Sequence, residues 1–163
     1  MNALVIGVGN EFRRDDGVGP AVAREVARHG VEATISDGDT VRLMEAWEGA
    51  ELVVIVDAVR RVSGVDGQWH RTTLPQHGPI ASSHGFGIPE AVELAEVLGR
   101  LPGRLVIFAV DVTDVGFGPG LSPAVTAAVP AVTKAVLAEI SQARVPPIPC
   151  SRQRNRTSDQ ERV

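Results

Sequence analysis

Apolar positions fall along this chain in two distinct rhythms. Three short stretches are almost continuously apolar: Ala3 to Val8, "ELVVIVDAV" from Glu51, and "RLVIFAVDV" from Arg104. Runs of this length and β-branched content are expected of strands buried on both faces of a parallel sheet. Elsewhere the spacing becomes helical. "DGVGPAVAREVARHG" predicts a helix stopped by Gly30, "TVRLMEAWEGA" a helix capped by Thr40, and "IPEAVELAEVLGRL" an amphipathic helix with Pro89 in its first turn. "SPAVTAAVPAVTKAVLAEI" predicts a last helix with Ser122 as N-cap and Pro123 at its first position, kinked or locally interrupted at Pro130. "VEATIS" alternates, as a half-buried or edge strand would, and "QWHRTTL" predicts an antiparallel edge strand. Strands alternating with helices imply an α/β sandwich around a mostly parallel sheet.

The pattern stops near Arg144, where "VPPIPC" gives way to Arg, Gln, Asn, Ser and Thr without periodicity. A single domain over residues 1–143 is therefore expected, with 144–163 a loosely attached or disordered tail. Aromatics are only 4% of the chain, so the core must be built from Val, Leu, Ile and Ala. The net charge of −4 conceals an asymmetry: the first 143 residues carry 11 basic and 18 acidic groups, and the tail is basic. Such an acidic body gives no electrostatic reason to expect nucleic acid or an anionic membrane as partner. The lone cysteine, Cys150, excludes an internal disulfide and a Cys-rich zinc site. "MNALVIGVGN" has no basic leader region and too short an apolar run to span a bilayer, so a cytoplasmic protein is expected, with a monomer favoured.

The first strand runs into "GVGNEFRRDDGVGP". Its glycines do not make a dinucleotide fingerprint, because Gly7 and Gly9 are followed by Asn10, Glu11 and Phe12 before the next glycine, Gly17. Asp15 and Asp16 would moreover repel a pyrophosphate. Ligands of an open α/β sheet sit beyond the carboxyl ends of the strands. Acidic residues gather there: Asp15 and Asp16 after the first strand, Asp37 after the second, Asp57 ending the third, and Asp111 and Asp114 after the fifth. Clustered carboxylates call for a cation or shared protons. Asp15 or Asp37 alone could equally be a helix N-cap worth about 1 kcal/mol. Asp57 has no helix to cap. Among the histidines, His84 stands out in the small-residue loop "ASSHGFGIPEA", where its imidazole can project; the plainer alternative is a solvent-exposed loop residue. Two carboxylates and an imidazole with an open shell suit a nickel- or zinc-like ion.

These segments resemble the hydrogenase maturation endopeptidases, which trim the C-terminal extension of nickel–iron hydrogenase large subunits. "LVIGVGNEFRRDDGVGP" is similar to that family's opening G-x-G-N-x-x-x-x-D-[DE]-G-x-G, and "DGDT", "VVIVDAV", "SSHGFGIPEAVELAEVLG" and "GPGLSPAVTAAVP" follow in the family's order. The resemblance covers about residues 3 to 142. It implies a three-layer α/β/α sandwich with a mostly parallel five-stranded sheet, of the phosphorylase/hydrolase-like kind. It also implies that Asp16, Asp57 and His84 are the metal-contacting and catalytic residues, and that the nickel is carried by the substrate rather than by the enzyme. Zinc or another divalent metal would fit the same residues, and no organic cofactor is expected. The implied partner is a large-subunit precursor, cleaved after nickel insertion. Asp37 is implied in holding substrate peptide, while Asn10 and the backbone of Gly7 to Gly9 could hold peptide or an oxyanion. One departure is Asp39, where the family commonly has glycine; aspartate enters left-handed conformations less readily, so a changed turn is expected.

Two mechanisms fit these residues. The metal could polarise the scissile carbonyl and activate water, or it could be a recognition handle while a carboxylate acts as general base. Asp16 is the candidate base, on the reasoning that Asp15 raises the pair's proton affinity. A non-catalytic metal-binding or nickel-handling partner on the same fold is the alternative function.

Overall fold

The computed structural model describes residues 1–61, 64–73 and 87–144. Five strands form one sheet: β1 (Ala3–Val8), β2 (Ala33–Ser36), β3 (Leu52–Arg60), β4 (Trp69–Thr73) and β5 (Arg104–Val112). Their order is β2-β1-β3-β5-β4. All pairings are parallel except β4 with β5, so "QWHRTTL" supplies the antiparallel edge strand predicted for it, and β2 is the parallel edge. Four helices cover the sheet: α1 (Val18–Arg28), α2 (Thr40–Ala46), α3 (Ile88–Val97) and α4 (Pro123–Arg144).

The two-residue period of the strands splits the core into two layers. Val54, Val56, Val106, Phe108 and Val110 face α1 and α4, where Val22, Val26, Val132 and Val136 pack on them. Val53, Ile55, Leu105 and Ile107 face the other way, onto Leu43 and Trp47 of the α2 region and Ala91 and Ala95 of α3. The result is the three-layer sandwich. Helix α1 reaches the sheet because residue 19 is glycine: a Cβ there would lie 2.3 Å from the Val8 carbonyl oxygen and 2.5 Å from that of Val56.

Helix α4 is long and apolar enough to cross a membrane by length and composition. Here its Val125, Val132, Val136 and Ile140 are buried against the protein's own core. Its Glu139 is clamped by Arg71 of β4, with Nε to Oε2 at 2.7 Å, and by Arg104 of β5. The Arg71 hydrogen bond, opposed by burial, holds the Glu139 carboxyl below its usual range.

The cap of α2 differs from expectation. Asp39, not Thr40, is the N-cap, and its side chain accepts the Arg42 N–H at 3.0 Å. The left-handed residue of "DGDT" is Gly38 (φ 89°), whereas Asp39 has φ −59°. The aspartate therefore causes no backbone strain and supplies a cap that glycine could not.

Candidate active site

Chain direction along the sheet reverses beside β1. The chain goes from β1 outward to β2, then returns to the opposite side of β1 for β3. Helices on opposite faces leave a crevice at such a reversal, beyond the carboxyl ends of β1 and β3. Asp57 lies one residue past the last β1–β3 pair, Gly7↔Val56, so it emerges where β1 peels away. Asp16 belongs to a single 3-10 turn, Arg14–Gly17, which follows the β1 loop and packs against β3. Both carboxylates are 7% exposed.

The loop that presents Asp16 is held by its own polar groups. Asp16 Oδ2 accepts the Asn10 N–H at 2.8 Å, and Asn10 Oδ1 accepts the Phe12 N–H at 2.9 Å. Gly9 takes φ 140°, and a Cβ on it would meet the Asp16 carbonyl oxygen at 2.0 Å. The Gly9 N–H is engaged by the Ser36 carbonyl, which removes it as an oxyanion donor.

Burial, first, and the Asp16 charge, second, push the Asp57 carboxyl up to about 7 against the opposing N–H of Ala58. The Asp15 carboxylate, the neighbour by which the sequence argument supported Asp16 as base, turns elsewhere: Oδ1 accepts the Ser122 N–H at 2.6 Å, at the start of α4. Asp15 is a helix cap, yet for a helix 107 residues away rather than its own.

Asp37 is exposed at the end of β2; its Oδ1 accepts the Asp39 N–H at 3.2 Å and its Oδ2 faces Arg42. His84 lies outside the described residues, as do His77, the Ser82–Ser83 pair, and the tail with Cys150. Gly87, three residues after His84, does have a place: it sits so close to Gly38 that a Cβ would be 2.3 Å from the Gly38 oxygen. That brings the start of α3 to the same edge of the sheet as the β1 and β2 loops. Among the described residues no three His, Cys, Asp or Glu side chains gather as a metal site. Asp16 and Asp57 supply two oxygen donors whose mutual repulsion a cation would relieve, so the residues present fit a divalent metal.

One cluster escaped the sequence reading. Asp111 lies within β5 rather than after it, two residues beyond Ala109, the partner of Asp57. Its buried carboxylate has His70 Nε2 at 3.2 Å and Arg61 Nε at 3.0 Å, the latter an ion pair without hydrogen-bond alignment. Period-two counting from Asp57 and Ala109 puts Asp111 on the Asp57 face. That signal was present in the sequence; the partners were not.

Comparison with known proteins bears on this geometry. Residues 21–139 match the family model of hydrogenase maturation proteases. A comparison with curated protein sequences found no match. Among solved structures, the hydrogenase maturating endopeptidase HybD from E. coli superposes with a TM-score of 0.74 at 22% identity, covering 88% of this chain and 94% of that one. The [NiFe] hydrogenase maturation protease HybD from Thermococcus kodakarensis gives 0.70 at 22% identity, covering 85% and 99%. An endopeptidase from Escherichia coli, solved in solution, gives 0.76 at 20% identity, covering 89% and 95%. At these identities the structural likeness is one of fold.

Proposed function

This chain belongs to the hydrogenase maturation protease family, and from that premise we propose that it removes the C-terminal extension of a nickel–iron hydrogenase large-subunit precursor after nickel insertion. The observation that carries the reading is the coupling of Asp16 and Asp57 at the strand-order reversal, with the Asp57 carboxyl raised to about 7. Asp16, Asp57 and His84 would contact the nickel of the precursor, which is substrate. A bound divalent metal would supply positive charge and polarise an adjacent carbonyl.

The chain's own residues set the rest. Asn10 fixes the Asp16 carboxylate through its N–H. The Asp57 carboxyl can take up and release a proton near neutral pH, which suits it to general base work. An approaching cation favours the ionised form of Asp57, so substrate binding releases a proton and weakens as pH falls below about 7.

The test is processing of a nickel-loaded precursor in vitro. Asp16→Asn, Asp57→Asn and His84→Ala are each expected to lower the rate by at least about 100-fold, the scale of lost acid–base or metal-contact groups. Wild-type rates in all three would refute the site assignment. If the wild-type chain never trims the precursor encoded in its own genome, the function itself fails.

A further inference from the structure

Helices α1 and α4 lie side by side on one face of the sheet with a groove of about 820 Å³ between them. Its floor is apolar, from Ala21 on one side and Leu121, Val129 and Leu137 on the other. Its rim is basic: Arg24, Arg28 and Lys134, with His29 at one end and Glu25 as its one carboxylate. Arg24 pairs with Glu11 and Arg28 with Glu25, while Lys134 has no ion-pair partner among the described residues. A basic strip is notable on a body with 11 basic and 18 acidic residues in its first 143.

Two polar groups along the groove lack the partners a helix normally supplies. Thr133 is 4% exposed and its hydroxyl oxygen has no hydrogen-bond partner. Pro130 has no N–H to give the carbonyl of Thr126, and both residues line the groove. At its other end, through Ala21, Arg24 and Leu121, the groove continues into a hollow of about 250 Å³ lined by Phe12, Arg14 and Gly17. Gly17 directly follows Asp16, and Phe12 is 66% exposed. The hollow therefore adjoins the loop that carries Asp16, although neither Asp16 nor Asp57 is among the residues that line it or the groove.

We propose that this groove docks an acidic, amphipathic segment of the precursor protein, an inference that rests on the function proposed above. The apolar side of the segment covers Leu121, Val129 and Leu137, and its carboxylates meet Lys134 and Arg28. Phe12 anchors the end nearest Asp16. From Thr126 to Leu137 the groove offers roughly 16 Å, about three turns of helix.

Steady-state processing of the precursor tests the proposal. Lys134→Glu is expected to raise KM about tenfold with kcat within about twofold, and Glu25→Lys to lower KM, since rim charges act on encounter and docking rather than on the chemical step. Both positions lie outside the proposed catalytic set. Leu137→Glu probes the floor, with a melting curve to verify folding; should it not fold, the two charge variants still decide. Unchanged KM in both charge variants overturns docking while leaving the protease function standing. A labelled synthetic helix with leucines on one face and glutamates on the other separates the two readings by fluorescence anisotropy. Even if no precursor is cleaved, the full chain should bind this peptide, and Lys134→Glu should weaken binding about tenfold. Equal binding of a lysine-for-glutamate peptide overturns the proposal. So does a wild-type dimer that Leu137→Glu dissociates in sedimentation while the KM for precursor stays the same, because a second copy then occupies the groove.

Discussion

Asp57 is the residue whose environment says most about chemistry. An unfolded aspartate titrates near about 4, while the folded carboxyl titrates at about 7, chiefly through burial and then through Asp16. Between those values the folded chain keeps a proton that the unfolded chain has lost. Stability therefore falls as pH rises through that window, by on the order of 4 kcal/mol in total. Asp57→Asn removes this titration. Its thermal midpoint should vary less between pH 4 and pH 8 than that of the wild type, and should lie higher at pH 8. Parallel melting profiles across that range would show that Asp57 is not the titrating group. In the sequence Asp57 was visible as a charge ending an apolar run. Its proton affinity was not, because it depends first on burial in the folded chain and then on the loop that brings Asp16 alongside.

Among the elements, α4 shows local preference yielding to packing. A proline inside a helix costs about 3 kcal/mol through the lost N–H and a ring clash with the preceding turn. Even so, α4 is continuous from Pro123 to Arg144 through Pro130. Burial of Val125, Val132, Val136 and Ile140 on the sheet outweighs that cost. Pro130 is exposed, so Pro130→Ala should raise stability by roughly 1–3 kcal/mol in denaturant titration. Loss of stability would indicate that the proline shape is needed for packing. Element types were legible in the periodicity, including both edge strands. The α2 cap was misplaced by one residue, because Thr40 and Asp39 are both good caps and only the backbone shows which side chain reaches the Arg42 N–H.

For the molecule as a whole, the decisive joint is between the β1 loop and the loop before α4. The Arg14 N–H meets the Gly118 carbonyl at 2.9 Å, the Asp15 N–H meets that of Asp114 at 3.1 Å, and the Asp15 carboxylate meets the Ser122 N–H. A fully buried carboxylate at the N-terminus of a 22-residue helix also complements the helix dipole. Asp15→Asn should cost about 1–2 kcal/mol and loosen both loops together in hydrogen exchange. Precursor processing per folded molecule should fall far less than in Asp16→Asn. A loss of processing as deep as that of Asp16→Asn would place Asp15 in the chemistry instead. By itself the sequence determined the strands, the helices and the α/β class, because hydrophobic period and turn residues act locally. Only the tertiary structure tied Asp15 to the start of α4, raised the proton affinity of Asp57, joined Asp111 to His70 and Arg61, and opened the groove between α1 and α4. Those properties depend on burial and on through-space charge between residues far apart in the chain, which no local pattern records.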